Sequence, residues 1–198
     1  MTVQQVIDLA AGSELKTLAV RTDTNAVIGY INLGLIELYK RFTLELKEHI
    51  VELVDGQAIY TLPSDCMYIV AAYGEVDKDS GEKVNILPIN TEDDPLSINT
   101  ISWKQVQIPL ATTGSYISLI YVASPAYIVN AEEILELPPQ LLEALLHYIG
   151  YRARCSVDDA NNTHYQRFEL SCQRVLQLGL LTSDDLDMSS KTVKGGFL

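Results

Sequence analysis

The chain has 198 residues, 47% of them hydrophobic, which is enough to bury a substantial core in one domain that can carry an inserted subdomain. Its 26 acidic and 14 basic residues give a formal charge of −12, which argues against a protein that coats nucleic acid, because such binding requires clustered cations. No signal-like leader and no run of about 20 apolar residues occurs, so we expect a soluble protein without membrane contact.

Two helices are predicted in residues 1–46. Apolar residues recur at spacings of three and four from Thr2 to Ala11, before Gly12, and indicate a short amphipathic helix. A longer helix begins at Asp23 or Thr24, either of which can cap it. Its apolar stripe consists of Val27, Ile28, Ile31, Leu35, Leu38, Tyr39, Phe42 and Leu46.

The apolar period changes over residues 47–138, which predict one small antiparallel β domain. Asp55-Gly56 lies between two apolar runs and predicts a β-hairpin. Further strands are predicted at Tyr68–Tyr73, Lys83–Leu87, Gln105–Ile108 and Tyr116–Val122. This range contains 14 acidic and 4 basic residues, a net charge of −10. Two explanations remain open: the charges keep strand edges soluble, or they repel a polyanion.

Helical periodicity returns over residues 139–181, where Pro139 suits the first position of a helix. The stripe of this helix is Leu141, Leu142, Leu145, Ile149 and Ala153. A last helix starts near Asn161 or Asn162 and ends near Gly179. Its predicted buried face is Tyr165, Phe168, Cys172, Val175 and Leu176.

Residues 182–198 are polar and aperiodic, which predicts a C-terminal arm without a core of its own. The predicted fold class is therefore α+β. A helical bundle built from the N- and C-terminal helices carries an inserted small antiparallel β domain and an extended C-terminal arm.

The sequence offers little catalytic chemistry. It contains neither a G-x-S-x-G elbow nor a glycine-rich phosphate loop, and its three cysteines lack the spacing of a disulfide framework or a zinc motif. His147 or His164 could meet Cys155 or Cys172 across the last two helices, but helix-packed residues of these types are usually structural. We predict no catalytic residue, no metal site and no cofactor, and hence a protein that is not an enzyme.

Two alternatives to a structural protein remain open. A ligand-binding β module for carbohydrate or peptide would place its site around Trp103, Tyr116 and Tyr121. A metal-dependent hydrolase is the second alternative, because the run from Asp77 to Glu82 is similar to the start of a calcium loop, although a turn needs the same residue types. The acidic residues of that hydrolase would be Asp77, Asp79, Glu92, Asp93 and Asp94.

Three segments in a particular order point to a family. They are residues 56–65 (GQAIYTLPSD), residues 120–125 (IYVASP) and residues 135–138 (LELP), which open the helix containing ALLHY. This order resembles the head-to-tail adaptor proteins of tailed bacteriophages, the group that includes the tail tubular A proteins. The residues that carry the resemblance are Gly56, Tyr60, Leu62, Pro63, Asp65, Tyr121, Pro125, Leu137 and Pro138.

The resemblance implies a connector: a homo-oligomeric ring, typically of twelve copies, beneath the portal protein. It also implies contact with a tail nozzle or tail tube protein, passage of double-stranded DNA without specific binding, and a virion protein assembled in the host cytoplasm. Family members commonly reach into the portal with a C-terminal extension, and residues 182–198 are similar in placement; the alternative is a frayed terminus. The docking residues would be Met188, Lys191, Val193, Lys194, Gly195, Gly196, Phe197 and Leu198.

Overall fold

The computed structural model describes residues 1–76, 83–110, 112, 115–155 and 163–179. It divides into two compact units: unit 1 comprises Met1–Thr43 with Ala126–Leu198, and unit 2 comprises Leu44–Pro125. Unit 1 is helical and is formed by both halves of the chain, whereas unit 2 consists of two antiparallel sheets. This confirms the predicted α+β class. The predicted arm, residues 182–198, lies outside the described residues.

Helix α1 (Val3–Gly12) begins with a capping box. The Thr2 hydroxyl accepts a hydrogen bond from the Gln5 amide at 3.3 Å, and the Gln5 side-chain oxygen accepts one from the Thr2 amide at 2.9 Å. These bonds satisfy backbone donors that a helix start otherwise leaves unpaired. The predicted apolar face is confirmed, since it is buried at Val3, Val6, Ile7 and Ala10.

Helix α2 (Thr24–Arg41) begins where the Asp23 carboxylate accepts a hydrogen bond from the Ala26 amide at 3.0 Å. It ends because Phe42 adopts extended backbone angles, with φ −126° and ψ 134°. The predicted stripe continued to Leu46, which is wrong. Leu46 begins the first β-strand, where its backbone pairs within a sheet and its side chain is half-exposed.

The C-terminal helices are α3 (Leu142–Arg154) and α4 (Thr163–Gln177). A 3₁₀ turn over Pro139–Leu141 precedes α3, with the proline at the start of the turn, where its missing N–H costs nothing. The buried face of α4 differs in part from the prediction: Ser171 is buried, whereas Tyr165 is 39% and Leu176 is 37% exposed.

Helices α2 and α3 approach each other closely at Gly34. A Cβ atom added there would lie 2.6 Å from Leu145 Cδ1 and 3.1 Å from Tyr148 Cδ1. At Gly29, in the same helix, an added Cβ would meet nothing within 4 Å. Gly34 therefore serves the packing of the two helices, and Gly29 does not.

A polar contact joins the end of α2 to α4. The Arg41 guanidinium donates two hydrogen bonds of 2.7 Å to the Glu169 carboxylate, and it also pairs with Glu37 at 3.1 Å. Its carbon Cζ lies 4.6 Å above the ring of Phe168. Arg41 lowers the pKa of Glu169 through these hydrogen bonds, so the pair is ionised at neutral pH.

Unit 2 contains a four-stranded sheet of order β1-β7-β3-β4 and a three-stranded sheet of order β2-β6-β5, both antiparallel. The strands are β1 (Leu46–Glu52), β2 (Ile59–Thr61), β3 (Cys66–Val76), β4 (Lys83–Leu87), β5 (Asn99–Ser102), β6 (Gln105–Gln107) and β7 (Tyr116–Ala123). One hydrophobic core receives side chains from both sheets: Val51, Tyr60, Leu62, Ala72, Leu87, Ile98, Val106, Ile108, Ile117 and Leu119.

The predicted hairpin at Asp55-Gly56 is wrong. The chain does turn there, and Gly56 has a φ of 74°, which glycine adopts at little cost. However, β1 pairs with β7 and β2 pairs with β6, so the two apolar runs enter different sheets. The pairing partners are distant in sequence, and local turn chemistry cannot reveal them.

Candidate functional site

Residues 56–65, the first of the three segments that carry the resemblance, include β2 and part of the turn that precedes it. The Tyr60 hydroxyl accepts a hydrogen bond from the Val54 amide at 3.0 Å and donates one to the Gln57 carbonyl at 3.1 Å. Gly56 supplies the positive φ inside this turn, and Leu62 is buried after it. These residues therefore hold the chain as it passes from one sheet to the other.

Asp65 joins this turn to the last strand of unit 2. Its carboxylate accepts hydrogen bonds from the Tyr121 hydroxyl at 3.1 Å and from the Lys47 ammonium at 2.8 Å. Its carbonyl oxygen accepts the Ser124 amide at 2.7 Å. The hydrogen bond from Lys47 lowers the pKa of Asp65, so the carboxylate is ionised at neutral pH. The structure thus brings Asp65 and Tyr121 of the quoted segments together.

The remaining residues of these segments also have structural positions. Pro63 accepts the Cys66 amide at 3.0 Å through its carbonyl oxygen, and Pro125 is the last residue of unit 2. Leu137 and Pro138 lead into the 3₁₀ turn before α3, and the Pro138 carbonyl accepts the Leu141 amide at 2.9 Å. Turn and strand contacts therefore account for these positions without a ligand.

Residues 126–135 of unit 1 form a segment that presents apolar side chains to solvent; we call it the 126–135 segment. Ile128 is buried, but Tyr127 is 72% and Val129 is 65% exposed. The buried Asn32 amide holds Ile128 from both sides, donating to its carbonyl and accepting from its N–H, each at 2.9 Å. The Glu133 carboxylate accepts the Val129 amide at 3.0 Å. These bonds fix the backbone while leaving two large side chains uncovered.

The same segment is tied to the start of α1. The amides of Val3 and Gln4 donate to the carbonyls of Glu133 and Ala131 at 2.9 and 2.7 Å. The first turn of a helix lacks internal partners for its N–H groups, and the segment supplies them. Exposed apolar residues of these two regions are Met1, Leu9, Tyr127, Val129 and Ile134. Exposed apolar side chains on a fixed backbone are typical of a protein–protein contact.

A family model described as SU10 adaptor protein matches residues 1–193. The chain belongs to the SU10 adaptor protein family. This membership confirms the resemblance to phage head-to-tail adaptors, and it identifies a structural component of the phage particle. No curated protein matches the chain.

Membership in an adaptor family favours a structural role over an enzymatic one, and the cysteines of the adaptor agree with that role. Cys172 is buried, and burial raises its pKa to about 11, so its thiol is protonated at neutral pH and is a poor nucleophile. His147 and His164 both face Glu14, at 3.2 and 2.6 Å. Cys172 is therefore not the thiolate that nucleophilic catalysis by a cysteine–histidine pair would require.

The aromatic residues of the ligand-binding alternative do not form one surface. Trp103, at the turn between β5 and β6, is 70% exposed, whereas Tyr121 on β7 is buried against Asp65. Tyr116 and Tyr121 are five positions apart on β7, and alternate residues of a strand face opposite sides, so the three aromatic residues do not share one face.

The acidic residues considered for a metal-dependent hydrolase do not assemble in the described part of the adaptor. Asp94 accepts the Leu96 amide at 2.9 Å and organises a turn, as exposed Asp residues commonly do. Among residues 1–76, 83–110, 112, 115–155 and 163–179, Glu92, Asp93 and Asp94 are not part of a group with converging ligand atoms. Asp77, Asp79, Gly81 and Glu82 lie outside the described residues, as do the predicted docking residues Met188, Lys191, Val193, Lys194, Gly195, Gly196, Phe197 and Leu198.

No helix in the described part of the adaptor has both the length and the apolar character needed to cross a membrane. Two contacts of the helical unit were not predicted from the sequence: that of Asn32 with Ile128 and that of Glu14 with the two histidines. Asn32 lies inside the apolar stripe of α2 and is buried. A polar residue in such a stripe needs a hydrogen-bond partner, and this was the one signal of the contact in the sequence. Glu14 is 133 positions from His147 and 150 positions from His164, and no local spacing connects them.

Proposed function

We propose that the adaptor forms a homo-oligomeric ring beneath the portal of a tailed phage, attaches the tail and lets DNA pass. The observation that carries this proposal is the family match over residues 1–193. Twelve copies is the expected number, by resemblance to head-to-tail adaptors. Identical subunits joined by two different surfaces must close into a ring or grow into a filament, so each subunit needs two complementary faces.

The exposed apolar residues of unit 1 support the assignment of ring contacts to the helical unit. Tyr127 and Val129 project from a backbone that Asn32 holds at Ile128, so little conformational entropy is lost when a neighbour covers them. Large aromatic and aliphatic side chains on a fixed frame are typical anchors of protein interfaces. We therefore assign one face of the ring contact to the 126–135 segment.

The charge of unit 2 supports a position near the DNA path or the tail. Residues 44–125 contain 12 acidic and 4 basic residues, a net charge of −8. A wall of this charge repels phosphate within a Debye length of about 8 Å at physiological salt, so that a duplex slides without sticking. Solubility of the strand edges explains the same charges equally well.

Ring formation is tested by native mass spectrometry and electron microscopy of the adaptor alone and mixed with its portal. The proposal expects closed rings in at least one of these samples. A chain that remains monomeric in both samples contradicts it. A double variant, Y127S with V129S, is expected to abolish rings while leaving the circular dichroism spectrum unchanged. I86S is the matched control, because Ile86 in unit 2 is also a strongly exposed aliphatic residue.

The C-terminal arm is proposed to dock on the portal, with Phe197 and Leu198 as apolar anchors. Deleting residues 187–198 is expected to abolish attachment to the portal while the remaining chain keeps its fold and its thermal transition. A segment that orders on docking can cover a large surface of its partner. Unchanged attachment of the truncated chain would show that the arm is a frayed terminus.

A second candidate function is ligand binding at the tip of the β5–β6 turn, favoured by the exposure of Trp103. Lys104 lies 4.2 Å from the Trp103 ring centroid and leaves much of the aromatic surface uncovered. Binding on a glycan array that W103A abolishes would support this function. A blank array would count against this function.

A further inference from the structure

Three ionisable side chains from three separate parts of unit 1 meet at one point. Glu14 follows α1, His147 lies in α3, and His164 is near the start of α4. The Nδ1 atoms of the two histidines lie 3.2 and 2.6 Å from the two carboxylate oxygens of Glu14. One ligand atom from each residue lies within 4.8 Å of the others. Each side chain is largely buried, with 12 to 13% of its surface exposed.

Hydrogen bonding does not explain this arrangement. Both Nδ1 atoms are fully buried and form no hydrogen bond of acceptable geometry, although a carboxylate is adjacent. Buried polar nitrogens nearly always have a partner, and an unpaired one requires an explanation such as an ion. The lone pairs of two neutral imidazoles and a carboxylate would be satisfied together by one cation between them.

The backbone of α3 makes room for this meeting. Gly150 lies one helical turn after His147, and a Cβ there would be 2.8 Å from His164 Nδ1 and 3.1 Å from Glu14 Cβ. Real Cβ atoms essentially never approach another atom to 2.8 Å, so any other residue at this position would push His164 away and would shift Glu14 slightly. Glycine is otherwise unfavourable inside a helix, by about 1 kcal/mol relative to alanine.

The surroundings match those of a metal site. Glu143 lies one turn before His147 on α3, and its carboxylate is 3.7 Å from Nε2 of His147, the nitrogen that faces away from Glu14. Metal-binding histidines commonly place a carboxylate at the second ring nitrogen, which orients the ring and raises its basicity. Arg154 donates to the Glu14 carbonyl and the Thr17 hydroxyl, each at 3.4 Å, and so braces the backbone that carries Glu14.

Access to the cluster is also compatible with an ion. A surface pocket of about 290 Å³, lined in part by Glu143, His147 and Arg167, adjoins the cluster and offers an entry path.

We propose that Glu14, His147 and His164 bind one divalent transition-metal ion, with zinc as the best fit. Two imidazoles and one carboxylate form a set of ligands that zinc accepts. Tetrahedral bonds of about 2.0–2.1 Å separate ligand atoms by about 3.3 Å, so the 3.2 Å contact of His147 with Glu14 has this spacing, whereas His164, at 2.6 Å, would move outward on binding. The fourth position would be filled by water from the adjoining pocket. The ion would connect the loop that follows α1 with helices α3 and α4. It would stabilise the helical unit both before and after assembly.

The proposal is tested on the untagged full chain, stripped with a chelator and titrated with Zn²⁺ by calorimetry. We expect saturable binding of one Zn²⁺ per chain and a higher melting temperature with Zn²⁺ but not with Mg²⁺, which prefers oxygen ligands. H147Q and H164Q are expected to abolish the saturable binding. E143Q is expected to weaken it about tenfold, as outer-shell changes do.

H49Q is the matched control, since His49 on β1 is the remaining histidine of the chain, and it should bind Zn²⁺ like the parent chain. Substituted Co²⁺ should give the visible bands of a four-coordinate nitrogen and oxygen site, without the charge-transfer band of a thiolate. Three results would overturn the proposal. They are a parent chain without saturable Zn²⁺ binding, H147Q and H164Q variants that bind Zn²⁺ as the parent chain does, and a thiolate band in the Co²⁺ spectrum. Metal binding by single chains is independent of ring formation, so either result leaves the proposed function to its own test.

Discussion

Asn32 is the residue whose loss tests the architecture of unit 1 most directly. It is 5% exposed, and its amide makes two hydrogen bonds of 2.9 Å to the backbone of Ile128. Asn32→Ala leaves the Ile128 N–H and carbonyl buried without partners, and each such group costs about 1–3 kcal/mol. For the two groups together we expect a loss of about 3 kcal/mol in the free energy of unfolding, near the lower end of that range. This is a large share of the roughly 5–15 kcal/mol that stabilises a typical domain.

Urea unfolding followed by circular dichroism measures this loss, and hydrogen exchange at the Ile128 amide gives a local readout. The exchange of that amide should accelerate strongly in Asn32→Ala. Asn25→Ala is the matched control, because Asn25 is an exposed residue of the same helix, and its replacement should change stability by less than about 0.5 kcal/mol. Equal effects of the two variants, or unchanged exchange at Ile128, would refute the assignment of Asn32 as the anchor of the 126–135 segment.

Three further predictions concern the packing and charges of both units. Gly34→Ala should destabilise unit 1 by about 1–3 kcal/mol, because the added methyl group overpacks against α3. Gly29→Ala should stabilise unit 1 by up to about 1 kcal/mol, because the added methyl group meets nothing and alanine favours the helix. Equal shifts of the two variants in thermal unfolding would contradict this. Glu169→Gln should cost about 1 kcal/mol at neutral pH by removing the bidentate pair with Arg41. Since the pKa of Glu169 is lowered in the folded chain, the pair contributes its full stabilisation above the unfolded pKa of about 4.3. Urea titrations should show this contribution decline below that value and disappear as pH falls through the lower pKa of the folded chain. A contribution that persists in strong acid would count against the pair. Gly56→Ala should cost about 1–2 kcal/mol because of its positive φ, and a neutral effect on urea unfolding would show that the turn before β2 can rearrange.

The helices illustrate how much of the fold follows from local pattern. Asp23 acts as a cap, as the sequence indicates, and the apolar stripes of α1 to α3 face the core. Helix signals repeat within a few residues, so they can be read without knowledge of distant parts of the chain. Errors arise at the ends of the pattern, where Leu46 continues the helical period but pairs as a strand.

The strands were predicted less well, for a physical reason. Lys83–Leu87 was predicted with its observed bounds, whereas the polar strand Asn99–Ser102 was missed because it lacks an apolar run. Strand pairing depends on contacts distant in sequence, so the partners of β1 and β2 could not be inferred from the turn between them.

The sequence by itself determined the α+β class, the cap of α2 and the segments that resemble phage adaptors, because these depend on short-range periodicity and order. Only the tertiary structure decided which distant polar groups meet. It placed Asn32 against Ile128, Asp65 against Tyr121, and Glu14 against His147 and His164. Such meetings depend on how helices and sheets pack, and packing is set by the whole chain and not by local spacing.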